Sequence, residues 1–298
     1  MTSYNFSSKF KFANILSIFF FILSIIFISF KGLNYGIDFK GGTLIELRSI
    51  NIDISSIRVS LNKMNLGDVN VKKFGKEGDF LIKFEEQGDN DKLIPEIKQN
   101  LSDNLNSEIN FRRVENVGPK VSAELLQSGI IAITLSLAAM LFYIWVRFEW
   151  QFSIGAIVAL FHDVIITLGI FSLLSLEINL SIVAAVLTIV GYSMNDTVVI
   201  YDRVRENLSK YHKLDISDIA NLSINETLAR TIITSATTLL ALFSIFILGG
   251  EILRGFSFAM ILGVFIGTYS SIFVASPILK SFKVSYKTLE KEEEKIVP

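Results

Sequence analysis

The sequence predicts a polytopic α-helical membrane protein with one α+β domain outside the membrane. Hydrophobic residues make up 51% of the 298-residue chain, more than the polar surface of a soluble protein usually permits. Six apolar segments are each long enough to cross a bilayer as a helix. Between the first two lies a stretch of about ninety residues whose composition and alternating polarity are those of a soluble domain.

The six apolar segments are expected to be transmembrane helices, called here the first to sixth span. The first has too long an apolar core for a signal peptide, and no small-residue cleavage site follows it, so it is expected to be retained. The predicted spans are Ala13–Phe30, Leu125–Val146, Phe152–Leu176, Leu180–Tyr201, Ile232–Gly250 and Phe256–Leu279.

Basic residues in alternate loops predict the orientation. Arg147 follows the second span and Arg203 and Arg205 follow the fourth, and both ends of the chain are also basic. Since basic loops stay in the cytoplasm, both termini are expected there. The predicted organisation is a cytoplasmic tail and first helix over 1–30, a periplasmic domain over 31–124, a five-helix bundle over 125–279 with a cytoplasmic loop at about 202–230, and a charged cytoplasmic tail over 280–298.

The outer domain is predicted to contain four strands and two helices. Alternation with period two marks the strands, and apolar residues at helical spacing mark the helices, the first of which begins at a cap-like Asp53. The order β-α-β-β-α-β is typical of a ferredoxin-like sandwich, a fold that serves many functions. The predicted strands are 43–49, 68–74, 79–85 and 108–117, and the predicted helices are 53–64 and 91–105.

A glycine-rich segment, GIDFKGGT over residues 36–43, precedes this domain. It lacks the Gly-Lys-Ser/Thr ending of a phosphate-binding loop and is not expected to open a helix. The segment, with its single acidic residue Asp38, is interpreted as a tight connector. Gly36, Gly41 and Gly42 are expected to supply positive φ angles in it.

The composition excludes several classes of site. The chain has no cysteine, so disulfides and thiolate metal sites are impossible. The two histidines, His162 and His212, are too few and too far apart to suggest a metal site. The net charge of −1 gives no overall field that would attract nucleic acid.

Asp196 is the most informative residue, because it lies inside the fourth span. It is about 9 Å from the charged end at Asp202, at about 1.5 Å per residue. An ionised carboxylate in hydrocarbon costs several kcal/mol, so Asp196 is predicted to face a protein interior and to mark an ion or proton route. The alternative is a buried structural carboxylate. The charges from Asp202 onward indicate the solvated end of the helix.

Arg230 in the fifth span is the predicted partner of Asp196. Ser223 and Glu226 have the spacing of a capping box, which predicts a helix start directly after Ser223 and places Arg230 about 9 Å along it. Thr234 lies one turn further on the same face. Alternatively, Arg230 extends to the interface and the nearby hydroxyls bond their own backbone.

His162 and Asp163 are adjacent in the third span, about 16 Å from its cytoplasmic start by helical rise. A buried His-Asp pair either relays protons or locks helices together through a hydrogen bond. The sequence leaves both readings open.

Gly263 and Gly267 form a GxxxG pair in the sixth span. Small residues at this spacing let two helices approach closely in a membrane. The pair therefore predicts a close-packing surface rather than a site.

Three motifs in order make the chain resemble the SecF branch of the SecD/SecF family. They are GIDFKGGT, ENVGPKVSAELL over 115–126, and GYSMNDTVVIYDRVREN over 191–207. The layout of one span, an outer domain and five further spans agrees along nearly the whole chain. Asp196 and Arg230 match the intramembrane aspartate and arginine of the family, and Asn195 matches the residue that SecF-like sequences usually have before that aspartate.

The resemblance implies an auxiliary subunit of bacterial protein export in the inner membrane, not an enzyme, with no cofactor, metal or nucleic acid. Its implied partners are a SecD-like protein, the SecY channel complex, the unfolded preprotein chain and protons. The proton motive force would help draw preproteins outward after an ATP-driven motor has acted. Two alternatives remain: half of a proton-coupled small-molecule exporter of the resistance-nodulation-division type, and a purely structural subunit.

Overall fold

The computed structural model describes residues 4–49, 52–64, 66, 69–73, 75, 77–84, 90–105 and 109–293. The chain divides into two compact units: a bundle unit of Met1–Asn34, Ala132–Leu176 and Ser181–Pro298, and a domain unit of Tyr35–Ile131 and Glu177–Leu180. The helices are α1 (Phe10–Lys31), α2 (Ile37–Lys40), α3 (Ile54–Asn62), α4 (Asn90–Leu105), α5 (Pro119–Arg147), α6 (Trp150–Leu173), α7 (Leu180–Lys210), α8 (Ile216–Leu248), α9 (Gly250–Ser270), α10 (Ser276–Ser281) and α11 (Tyr286–Glu293). The strands are β1 (Asn34–Tyr35), β2 (Gly42–Arg48), β3 (Val69–Lys73), β4 (Asp79–Phe84), β5 (Asn110–Val117) and β6 (Glu177–Ile178).

Six helical segments in the described part of the chain are long and apolar enough to cross a membrane. Each overlaps one predicted span. The helices α6 and α8 end at Leu173 and Leu248, before the predicted ends at Leu176 and Gly250, whereas other helix ends lie beyond the apolar stretches. A helix can do so because its backbone hydrogen bonds stay within the segment. A π-helical stretch, Ser271–Ala275, joins α9 to α10 within the sixth span. The segments are Ser7–Lys31, Pro119–Arg147, Trp150–Leu173, Leu180–Lys210, Ile216–Leu248 and Leu253–Ser281.

The fifth span begins earlier than the sequence predicts. Its N-cap is Asp215, whose carboxylate accepts a hydrogen bond from the backbone N–H of Ser217 at 3.0 Å. The helix is continuous through Ser223 and Glu226, so the predicted capping box is wrong. Arg230 consequently lies about 21 Å along α8 instead of about 9 Å, at about 1.5 Å per residue.

Ser223 and Glu226 have other partners inside this continuous helix. The Ser223 hydroxyl donates to the carbonyl of Ile219 at 2.8 Å, one turn earlier. The Glu226 carboxylate accepts from Arg203 of α7 at 2.6 Å. In the middle of this helix, the serine therefore bonds to the preceding turn of its own backbone, and the glutamate forms an ion pair with another helix.

The bundle unit has a buried layer and a surface layer. About half of the side chains of the third, fourth and sixth spans are buried, whereas the first, second and fifth are mostly exposed on the unit. The helices α7 and α9 lie close together at Gly263 and Gly267. A Cβ atom at Gly263 would overlap the side chain of Ile189, and one at Gly267 would lie 3.0 Å from Cβ of Ser193.

The domain unit contains a four-stranded antiparallel sheet in the order β3-β4-β2-β5. In its register, Ile45 pairs with Ile82. The helices α3 and α4 share one core with the sheet, in which Ile57 and Ile97 are fully buried. The elements follow the predicted order β-α-β-β-α-β. The predicted strand ends at 68, 74, 85 and 108 and the tail residues 294–298 lie outside the described residues.

The glycine-rich connector contains one helical turn, α2, which the sequence did not predict. Gly41 and Gly42 have φ angles of 78° and 124°, as expected. Gly36 has a φ of −74°, which any residue can adopt, so the expectation of a positive angle there is wrong. Its backbone N–H instead donates to the carbonyl of Ile178 at 2.9 Å.

Candidate functional site

Asp163 is a fully buried carboxylate at which three spans meet. One of its oxygens accepts hydrogen bonds from the hydroxyls of Ser193 on α7, at 2.5 Å, and Ser270 on α9, at 2.7 Å. The other oxygen lies 2.9 Å from Nδ1 of His162. The structure thus pairs His162 with Asp163 and adds two serines that sequence reasoning missed.

Asp196 is the second buried carboxylate, one turn along α7 from Ser193, and only 3% of its surface is exposed. The Thr268 hydroxyl donates to its Oδ2 at 3.3 Å. Thr268 is itself 2.7 Å from the hydroxyl of Ser235 on α8. Asp196 therefore lies where the fourth, fifth and sixth spans meet, in the protein interior that the cost of burying a charge predicts.

Small hydroxyl side chains continue this polar tract between α7 and the sixth span. The hydroxyls of Thr197 and Ser271 are 2.8 Å apart. The Ser271 hydroxyl is 2.9 Å from the carbonyl oxygen of Gly267, and the Ser270 hydroxyl lies 3.1 Å from the same oxygen. A hydroxyl can donate and accept at once, so the tract can hydrogen-bond water at several atoms.

Arg230 is within electrostatic reach of Asp196 but does not contact it. Among the ion pairs of the described residues, none involves Arg230, and its side chain is exposed on the bundle unit. The Thr234 hydroxyl donates to the carbonyl of Arg230 at 3.0 Å, which is the backbone bonding that the sequence allowed as an alternative. The structure therefore brings Arg230 near the site without closing a salt bridge.

Asn195 does not join the buried cluster. Its side chain is exposed on α7, whereas that of Asp196 points inward. The charges further along α7 form surface ion pairs, as their position at a helix end predicts: Asp202 accepts from Arg147 at 2.7 Å. Arg203 reaches Glu226 in the same region.

Asp38 in the connector has a role that the sequence did not reveal. Its carboxylate accepts a hydrogen bond from the backbone N–H of Leu180, the first residue of α7, at 2.9 Å. A carboxylate is favourable at the N-terminus of a helix, where backbone N–H groups lack partners. The two residues are 142 positions apart, so no local pattern links them.

Two family models match the chain. The SecD/SecF GG motif matches residues 26–49, and the model of the protein export membrane protein SecD/SecF, C-terminal, matches residues 97–285. Among curated relatives, the protein translocase subunit SecF of Rickettsia rickettsii is 47% identical over 91% of this chain and 90% of its own length. That of Rickettsia felis is 46% identical over 95% of this chain and 92% of its own length.

Two solved structures share the fold. SecDF from Thermus thermophilus, a translocon-associated membrane protein, has a TM-score of 0.85 and 35% identity over 95% of this chain. SecDF in a super-membrane-facing form has a TM-score of 0.71 and 34% identity over 99% of this chain. This chain spans only 39% and 40% of those longer chains. The chain therefore belongs to the SecD/SecF family of protein export membrane proteins, as a multi-pass member similar to the protein translocase subunit SecF.

Proposed function

We propose that this chain is a proton-coupled auxiliary subunit of a bacterial protein translocase. It acts with a SecD-like protein and the SecY channel complex to promote preprotein export, in the inner membrane, with both termini cytoplasmic and the sheet domain periplasmic. The domain would hold the emerging chain. No covalent bond of the cargo changes, so the subunit is not an enzyme.

The observation that carries the proposal is the pair of buried carboxylates in the spans. Asp163 and Asp196 lie in the interior of the bundle unit and are joined to it through hydroxyl groups of neighbouring helices. Ionisable groups at this depth are costly and commonly mark proton or ion pathways.

The proposed mechanism is an electrostatic switch at Asp196. When ionised, its carboxylate is held by Thr268 and attracted by Arg230. Protonation removes the charge, releases Arg230 and favours a different packing of the third, fourth and fifth spans. One charge moved through about 100 mV supplies about 2.3 kcal/mol, which is enough to bias two packings of similar energy.

A SecD-like partner accounts for the polar stripe on α8. Arg230 and Thr237 are exposed on the surface of the bundle unit, on a helix long and apolar enough to cross a membrane. A charge on such a surface is strongly disfavoured against lipid and is accommodated against protein or water. The similar SecDF chains are more than twice as long as this one, which supports a second chain as the cover.

The test is proton flux in vesicles that contain the chain with a SecD-like protein and the channel complex. We expect an imposed proton gradient to drive flux and to stimulate export of a preprotein. Vesicles in which Asp196 is replaced by Asn serve as the control for leakage. A correctly assembled complex that exports with no dependence on the gradient would overturn the proposal in favour of a purely structural subunit.

A further inference from the structure

A cavity of about 460 Å³ lies within the bundle unit beside His162. It is bounded by α1, α6 and the end of the sixth span. Most of its wall is apolar, and its polar side chains are those of Asn14, Ser17 and His162. The cavity reaches Ile278, which is three residues from the end of α10 at Ser281.

The N-terminal segment lies at one end of the bundle unit. The cavity extends towards this end. The backbone N–H of Phe6 donates to Asn221, near the start of α8, at 2.7 Å. The ring of Phe10 packs edge-on against Phe273 of the sixth span, with centroids 6.4 Å apart. The lining residues therefore extend from the middle of α6 towards the end of the unit that is proposed to be cytoplasmic.

His162 lines this cavity and carries one unsatisfied nitrogen, which is buried in the structure. Its side chain is 5% exposed, and its Nε2 atom has no hydrogen-bond partner among the described residues. An ionised carboxylate can only accept hydrogen bonds, so we assign the ring proton of His162 to Nδ1, which then donates to Asp163. Neutral His162 then has its lone pair on Nε2, which makes that atom the free proton acceptor of the pair.

We propose that water occupies the polar corner of this cavity and exchanges protons with Nε2 of His162. The cavity would thus be the access route between the His162–Asp163 pair and the side of the termini. In the uptake step, an O–H bond of hydronium breaks as an N–H bond forms at Nε2. Water remains in the cavity, and the imidazolium is held by ionised Asp163. The proposal rests on the proton-coupled function and adds to it a place where protons enter or leave.

Water fits this corner better than an apolar occupant does. A lipid chain offers no hydrogen-bond partner to Nε2. A buried water does, and it typically makes about three hydrogen bonds to polar groups around it. Asn14 and Ser17 are one turn apart on the face of α1 that lines the cavity. The titratable groups that face His162 are Asp163 and Tyr269, whose ring stacks at 6.4 Å, and α1 contributes only an amide and a hydroxyl.

Thiol labelling in native membranes tests whether the cavity is wet, and the natural chain has no cysteine to interfere. Ser17→Cys places a thiol in the cavity, and Phe19→Cys places one at similar depth on the opposite, exposed face of α1. A permanently charged methanethiosulfonate reacts with thiolates, which form in water. We expect Ser17→Cys to react on the order of tenfold faster than Phe19→Cys, with access from the side of the termini. Equal, slow reaction of both would mean a dry cavity filled by lipid and would overturn the inference.

Two further variants connect the cavity to the proton step. Val158→Trp fills the cavity and should abolish labelling of Ser17→Cys, whereas Leu135→Trp on the exposed face of α5 should not. His162→Asn keeps an amide donor for Asp163 but lacks Nε2, so it should lose gradient stimulation while Ser17→Cys is still labelled. Full stimulation in His162→Asn would refute the role of Nε2. Because labelling needs no gradient, failure of the wild-type complex to respond to a gradient is a separate result that bears on the proposed function alone.

Discussion

At the scale of single residues, the two buried carboxylates differ in how well their charges are satisfied. Asp163 accepts from Ser193, Ser270 and His162, all within 2.9 Å. Asp196 accepts one longer hydrogen bond, of 3.3 Å, from Thr268, and Ser235 also interacts with its charge. The charge of Asp196 is therefore less fully satisfied than that of Asp163, which makes Asp196 the better candidate for the residue that switches.

Replacing Asp196 by Asn is expected to abolish gradient-stimulated export and leave assembly intact. Asn keeps the shape and the hydrogen-bonding capacity of Asp but cannot ionise. Asp202→Asn is the matched control, because Asp202 lies on the same helix in a surface ion pair with Arg147. Both variants should accumulate to normal levels. Gradient stimulation that persists in Asp196→Asn would remove this residue from the mechanism.

Arg230 and Asp196 are expected to be energetically coupled although they form no direct ion pair in this structure. Each is a costly charge within a span and relieves the other in at least one state. The measurement is gradient-stimulated export for Arg230→Ala, Asp196→Ala and the double variant. We expect the double variant to be no worse than the poorer single one. Strictly additive losses would mean that the two residues act independently.

At the scale of helices, the contact of α7 with α9 positions the site. Gly263 lies against Ile189, and a Cβ atom there would overlap three carbons of that side chain. A β-branched side chain inside a helix has little freedom to move away. The two glycines thus set the spacing at which Ser270 and Thr268 reach the carboxylates.

Gly263→Ala is expected to destabilise the bundle by about 1–3 kcal/mol, the usual cost of overpacking. Gly191→Ala makes the same substitution within α7, where a Cβ atom meets nothing within 4 Å. That control should be neutral or stabilising by roughly 0.5–1 kcal/mol, since alanine favours helix over glycine. Thermal unfolding in detergent measures both. Equal midpoints for the two variants would contradict the close contact at Gly263.

The cap of α8 predicts a pH-dependent contribution to stability. The backbone N–H of Ser217 donates to the carboxylate of Asp215 and holds its pKa below the ordinary value. For an acid with a lowered pKa, the stabilisation is present above the unfolded pKa of about 4 and is lost as the pH falls through the folded pKa. Asp215→Ala should cost about 1 kcal/mol at neutral pH, and Asp215→Asn much less. If the loss in free energy of unfolding caused by Asp215→Ala stays the same down to about pH 2, the result would argue against the cap.

The spans were predictable from sequence because apolar length is a local property, whereas their ends were not. The helix α8 begins at Asp215 because a cap outside the apolar stretch satisfies its first N–H groups. The Ser223 to Glu226 spacing looks identical to a cap when the tertiary partner, Arg203, is unknown. The alternation of β2 and β4 was equally local, and the element order of the domain followed from it.

The two carboxylates of the candidate site could be predicted from local sequence, but the hydroxyl groups that contact them could not. Asp163 and Asp196 stand out because a carboxylate is rare in an apolar run. Ser193, Ser270 and Thr268 do not, since serine and threonine are common in spans and usually bond their own backbone. Only the packing of α9 on α7 and α8 shows that these hydroxyls contact the carboxylates, across as many as 107 positions of sequence. The sequence likewise did not show that Asn195 is exposed while the adjacent Asp196 is buried.

At the scale of the whole molecule, the bundle unit looks incomplete in a bilayer. The first, second and fifth spans bury few of their side chains, and the fifth exposes a polar stripe that includes Arg230 and Thr237. Lipid provides no hydrophobic drive for helix association, so polar contacts and small residues must supply it. A second set of spans that covers this stripe would satisfy both conditions.

The chain is therefore expected to form a stable complex with a SecD-like protein that survives purification in mild detergent. Thr237→Trp places a bulky side chain on the exposed polar stripe and should weaken recovery of the complex. Leu135→Trp makes a comparable change on the exposed, apolar face of α5 and serves as the control. The measurement is the ratio of the two proteins after affinity purification of one of them.

If Arg230 must be covered for the switch to work, loss of the partner should also remove gradient-driven proton flux. A monomer of this chain that conducts protons alone would contradict this dependence, because its arginine would then function while facing lipid.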